Sequence, residues 1–159
     1  MNVNAAPMRR ALGDMRKRLN DLGPVMEGRA TAFERMTAVE VFGQSQSPLG
    51  VAWKKNQPRT TARKLKKGRT GGPPMILIDR GKLVEATHAV GTKKGIRVGV
   101  SGAPATYGTA HQFGKGVPRR PFLPLNTAGQ VTLISGPAKT WATRAQKRIR
   151  DWVLKGTLS

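Results

Sequence analysis

Apolar residues recur through the first forty positions at steps of three and four. Met8, Leu12, Met15, Leu19 and Leu22 form one stripe on a helix, and Arg9, Arg10, Arg16, Lys17 and Arg18 occupy the rest of its surface. Gly23-Pro24 interrupts the repeat, and proline at a first helical position either opens a new helix or kinks a long one. The pattern resumes at Val25 and Met26 and passes through Ala30, Phe33 and Met36 towards Val39 and Phe42. Two N-terminal helices within residues 1–43 are expected. Further along, the period drops to two. Val84, Ala86 and Val90 alternate with polar residues between Leu83 and Thr92, and Ile96, Val98 and Val100 alternate with Arg97 and Gly99. Lys93-Lys94-Gly95 supplies a turn with a glycine where positive φ is expected, so the two runs predict an antiparallel hairpin with one face inward. Near the end, Ala138, Trp141, Ala145, Ile149 and Trp152 share one helical face, opposite Lys139, Arg144, Lys147, Arg148 and Arg150. This C-terminal helix, residues 137–155, is expected to dock its Trp-bearing face on the sheet.

The remaining stretches lack a period. Residues 44–74 read as a basic loop with at most one short helical turn, carrying Lys54, Lys55, Arg59, Arg63, Lys64, Lys66, Lys67 and Arg69 without an acidic residue among them. Such a length exceeds an ordinary connector, so the loop is functional or unordered until it meets a partner. Trp53 is expected to anchor its start to the core. Met75-Ile76-Leu77-Ile78 fits a strand entry or a buried segment. From Tyr107 to Leu125, glycines and prolines recur too often for a regular helix or central strand, which predicts a packed loop or a binding element. Together these segments predict one α+β domain over residues 1–159: an antiparallel β-sheet with a central hairpin, packed against two N-terminal helices and one C-terminal helix, with long extended loops. Residues 75–125 hold the sheet and the Pro-rich loop.

Charge narrows the partners. The 159 residues hold 29 Lys and Arg against 8 Asp and Glu, a net charge of +21, well beyond what solubility needs. Nucleic acid, an acidic protein surface and a membrane surface are the anionic candidates. A membrane is the weakest, because no apolar run approaches a spanning length and the N-terminus has no apolar signal core, so a soluble, unexported protein is expected. Cysteine is absent, which excludes disulfides, thiolate zinc sites and cysteine nucleophiles.

Catalytic chemistry finds little support. His88 and His111 come from different elements, and between Glu85 and Asp151 there is no carboxylate to serve His111 as a second acid or as a metal ligand. Gly91, Gly95, Gly99 and Gly102 fit neither a phosphate loop nor a dinucleotide fingerprint and read as turn and bulge residues. No catalytic residue, metal or cofactor is expected. Phosphate neutralisation by Lys and Arg alone is compatible with the composition, whereas no zinc finger, helix-turn-helix or RNA-recognition strand motif appears.

Five segments carry a resemblance: Phe42 to Trp53, Ile76 to Leu83, Ile96 to Gly99, Tyr107-Gly108-Thr109-Ala110-His111-Gln112-Phe113-Gly114, and Pro118-Arg119-Arg120-Pro121-Phe122-Leu123. In this order, over about residues 40–125, they resemble the tailed-bacteriophage virion morphogenesis family, also described as tail completion protein S and similar to head-tail connector and neck proteins. The chain departs from that pattern at Asp79-Arg80-Gly81-Lys82-Leu83 and in the charge of the segment between Trp53 and Met75. The resemblance implies a non-enzymatic α+β subunit of a homo-oligomeric ring at the virion neck, assembled in the host cytoplasm, that joins the DNA-filled head to the tail. Its implied partners are copies of itself, a portal-side adaptor or stopper, a tail terminator or tail tube protein, and the packaged DNA. Tyr107, Phe113, Pro118, Arg119, Arg120, Pro121 and Phe122 would then meet a neighbouring subunit, and the cations from Lys54 to Arg69 would meet DNA or an acidic partner. The rival reading from charge is a free basic nucleic-acid-binding protein.

Overall fold

The computed structural model describes residues 5–67 and 75–157 and has an α+β architecture. Helix α1 spans Ala6–Asn20 and α2 spans Gly23–Met36. Asp21 Oδ1 accepts the Gly23 amide at 3.0 Å, Pro24 sits in the first turn of α2, and the Leu22 amide bonds the Lys93 carbonyl at 3.1 Å. Gly23-Pro24 therefore opens a second helix, at a corner tied to the hairpin tip.

Val25, Met26, Ala30, Phe33 and Met36 form the buried stripe of α2. The helix then widens into a π-helical turn, Thr37–Phe42, whose Gly43 amide bonds the Ala38 carbonyl five residues back at 3.0 Å. Both Val41 and Phe42 are fully buried there, and they start a core cluster completed by Trp53, Leu83 and Phe122.

The sheet is a single hairpin, β1 Thr87–Thr92 and β2 Gly95–Val100, in register from Thr87 opposite Val100 to Thr92 opposite Gly95. Its first strand is shorter than the alternation predicts, and Val90 pairs with Arg97 and is exposed, so Ala89 rather than Val90 shares the face of Val98. Gly81, at φ +76°, opens a short helix α4, Lys82–Ala86, that turns Leu83 into the core, and the Thr87 hydroxyl donates to the Leu83 carbonyl at 2.7 Å. The turn needs no positive φ at Lys93, Lys94 or Gly95, against expectation. The hairpin lies on α2: Gly91 meets the backbone of Met26 and Glu27, and Glu34 Oε1 accepts the Ala89 amide at 2.8 Å. A carboxylate thus caps one of the N–H groups on the open edge of β1.

Helices α3, Pro58–Lys66, and α5, Pro104–Phe113, lie in stretches where the sequence predicts loops. Met75–Ile78 is no strand. It forms a turn, with Leu77 at φ +60°, that packs Ile76, Leu77 and Ile78 against the core cluster.

The last helix, α6, runs Gly136–Lys155 and docks chiefly on α2 rather than on the sheet. Trp141 meets Phe33 edge to face at 5.3 Å between ring centroids and donates its indole N–H to the Arg29 carbonyl at 3.2 Å. Between α6 and β2 an apolar groove of about 360 Å³ stays open, floored by Met26 and Phe33. At the far end of α6, Arg18 of α1 donates to the Val153 carbonyl at 3.2 Å and lies against Gly156. Those contacts involve only the C-terminal part of α1, and no residue of that helix is buried.

Candidate interaction surface

The segment from Tyr107 to Leu125 is half helix and half strap. Pro104, Gly108 and Gly114 do not break α5, which runs Pro104–Phe113. Pro104 occupies the first turn, where its missing N–H has no intrahelical partner to lose. Gly114, at φ +76°, ends the helix, and the amides of Gly114 and Lys115 close back on the Ala110 carbonyl at 2.8 and 2.9 Å. Gly108 is buried at mid-helix, where an added Cβ would lie 3.0 Å from Leu83 and 3.4 Å from the Phe122 ring. A glycine there costs the helix about 1 kcal/mol and lets Phe122 come close.

Gln112 joins the helix to the strap. Its Oε1 accepts the amides of Phe122 and Leu123, both at 3.0 Å, and its Nε2 donates to the Leu123 carbonyl at 3.1 Å. Phe122 then reaches the core at 1 % exposure, stacking against Phe42 at 5.6 Å. Trp53, the expected anchor, packs edge to face on Phe42 at 5.7 Å and donates its indole N–H to the Pro121 carbonyl at 2.9 Å.

Arg119 and Arg120 point to different fates. Arg120 is buried at 7 % exposure; its guanidinium donates to the carbonyls of Lys54 (3.0 and 3.1 Å) and Lys55 (3.2 Å), and its amide bonds the His111 carbonyl at 2.7 Å. It ties the strap to the segment leading into α3. Arg119 stays exposed, with Nε 3.4 Å from the Gln112 carbonyl. Among the other residues expected at an interface, Tyr107 and Pro118 are exposed while Phe113 and Pro121 are half-buried.

The cations of residues 54–67 divide in the same way. Lys54, Lys55, Arg59, Arg63, Lys66 and Lys67 are exposed, whereas Lys64 is 5 % exposed and its ammonium donates to the carbonyls of Met75, at 2.8 Å, and Ile78. Burial lowers the pKa of Lys64; Asp79 raises it, and Arg120 and Arg63 lower it further. Arg69 lies outside the described residues. Helix α3 forms because Pro58 is preset for a first turn and Arg63, Lys64 and Lys66 sit in the last turn, where the helix dipole favours cations.

The two halves of the expectation meet in one cleft of about 560 Å³. Lys54, Lys55, Arg63, Lys64 and Arg120 line it with His111 and Tyr107, beside the single carboxylate of Asp79. Its floor is fixed, because Arg120 and Lys64 are clamped to carbonyls, and its rim is exposed lysine and arginine. His111 has its pKa lowered, first by burial and then by Arg120, against the pull of the Pro118 backbone. Neutral imidazole is thus the form the fold prefers. Burial also raises the Tyr107 pKa and lowers that of Arg120.

A second basic cluster escapes a reading of either helix alone. Arg29 of α2 joins Arg144, Lys147 and Arg148 of α6 around a cavity of about 420 Å³ that includes Asp151. Burial, then Arg148, then Arg144 lower the Arg29 pKa. The four-residue step from Arg144 to Arg148 signals a shared face, but the partner on α2 becomes visible only once the helices pack. Among the described residues no three His, Asp or Glu side chains gather to hold a metal ion, and no helix is long and apolar enough to cross a membrane.

A family model described as the phage virion morphogenesis family matches residues 3–149. No curated protein and no solved structure matches the chain.

Proposed function

The chain belongs to the phage virion morphogenesis family, a family of virion structure and assembly, and on that premise we propose that it is a ring-forming subunit of the neck that completes the joint between DNA-filled head and tail. The observation that carries this reading is the basic cleft. Five cations, Lys54, Lys55, Arg63, Lys64 and Arg120, surround it, and Asp79 is the one carboxylate among its described lining residues. Such an excess of positive charge suits an anionic surface. Packaged DNA in the lumen and the acidic surface of an adjoining portal-side or tail-side ring both present the required charge.

Electron microscopy of lysates lacking the protein tests the reading. Filled heads and free tails, lying apart, are expected; joined, infectious particles would overturn it. The second reading, a free basic nucleic-acid-binding protein, draws on the net charge of +21. A protein that stays monomeric and binds DNA with a steep loss of affinity on adding salt would favour it.

A further inference from the structure

We propose that α1 is an assembly arm, whose apolar stripe seats in the groove between α6 and β2 of a second copy of this chain; the inference rests on the ring reading above and names the contact that would close it.

The donor half is a helix without a core. Met8, Leu12 and Leu19 are 67, 58 and 55 % exposed, and every residue from Ala6 to Asp14 is exposed. Yet the stripe has the steps of four, three and four that let a helix anchor in a groove. An isolated helix of this length is marginal in water, and its glycine at Gly13 weakens it further. Within the subunit, Met15 and Arg18 are its only half-buried residues, so its own chain covers little of the stripe.

The acceptor half is a groove without an occupant. Ile96 and Val98 line it from β2, Trp141, Ala145 and Ile149 from α6, and Leu125 and Val131 from the end of the strap and the segment that follows it, with no charged side chain among its described lining residues. That lining selects an apolar insert over an acidic or a basic one. Its length also fits: Trp141 to Ile149 spans about 12 Å of α6, and Leu12 to Leu19 spans about 10 Å of α1.

Size decides the form of assembly. Treated as a half-cylinder of roughly 5 Å radius and 22 Å length, α1 covers about 350 Å² on each partner, or about 700 Å² per contact. A stable pair needs about 1,200 Å² or more, so one arm in one groove is weak. Donor and acceptor are different surfaces, which makes the contact head-to-tail and lets each subunit make it twice. Closing a ring adds one contact without immobilising another subunit, so closed rings should form at the expense of dimers. Copies carrying +21 repel each other, and the contact itself is apolar, so salt should promote assembly while weakening any grip on DNA.

The absence of cysteine allows a direct test. Full-length Met8→Cys, Leu12→Cys and Leu19→Cys proteins are each mixed with Val98→Cys and oxidised at about 0.5 M salt, where charge repulsion is screened. At least one mixture should give a disulfide-linked dimer with a yield about tenfold above either protein alone. No cross-link from any of the three, or equal linking in the arm variants alone, overturns the proposal. Leu12→Asp provides the second arm: the oligomer should be lost, and at concentrations where wild type is itself monomeric the two melting temperatures should agree, because Leu12 is exposed within the subunit. Leu12→Asp protein that still forms rings defeats the arm and leaves the ring reading standing; wild-type protein that is monomeric at all salt concentrations defeats both.

Discussion

The Tyr107–Leu125 segment and α1 lie at opposite extremes of packing. In the first, Gln112 bonds the backbone at Phe122 and Leu123, Arg120 bonds that at Lys54 and Lys55, and Phe122 sits in the core at 1 % exposure. In the second, fifteen residues form a helix and none of them is buried. One region makes the subunit a subunit; the other has its apolar surface left over. The packed part holds a fixed basic cleft, and the helix leaves its apolar stripe exposed, which is the surface the proposed assembly would use.

Four measurements probe that contrast, and the largest effect belongs to the packed region. Phe122→Ala removes a fully buried ring from contact with Phe42 and should cost about 4 kcal/mol in urea unfolding, enough to leave much of the protein unfolded. A loss under about 1 kcal/mol would mean that the strap is not part of the core. Next comes Gln112→Ala, which strips the acceptor from the Phe122 and Leu123 amides and should cost about 3 kcal/mol. An unchanged urea midpoint would show that water replaces the side chain.

The third effect is a pH dependence. The fold lowers the pKa of His111, chiefly by burial, so the unfolded chain takes up the proton first. Stability from this group is intact above the unfolded value of about 6.5 and is lost as pH falls below it towards the folded value. The urea midpoint should therefore drop between pH 7 and pH 5.5, and His111→Gln should flatten that slope. A slope that survives the substitution assigns it to other groups. The smallest effect is Leu12→Asp, expected within about 0.5 kcal/mol of wild type when both are unfolded at concentrations that keep them monomeric. A larger loss would mean that α1 supports its own subunit.

The contrast also explains what the sequence disclosed. The stripes of α2 and α6, the β2 alternation and the anchoring role of Trp53 were legible, because each follows from local spacing or from a lone bulky residue. Helix α5 was hidden by Gly108 and Gly114, whose reasons are the Phe122 ring and a C-terminal cap, both set by tertiary neighbours. The α4 turn was hidden because Leu83 and Val84 alternate like a strand while Gly81 bends the chain into a helix. In the cleft, the cationic composition was plain, but burial of Lys64 and Arg120 on backbone carbonyls depends on loops that meet only in the fold. The stripe of α1 was the cleanest signal in the chain and predicts a helix correctly. Periodicity reports a face that wants covering, and it does not say whether the cover comes from the same chain.

A reconstruction of the virion at the head–tail junction would decide the proposed neck role. A ring into which this α+β subunit fits is expected there, its cleft of Lys54, Lys55 and Arg63 turned towards DNA or an adjoining ring. Joined particles whose neck contains no copy of the subunit would contradict it.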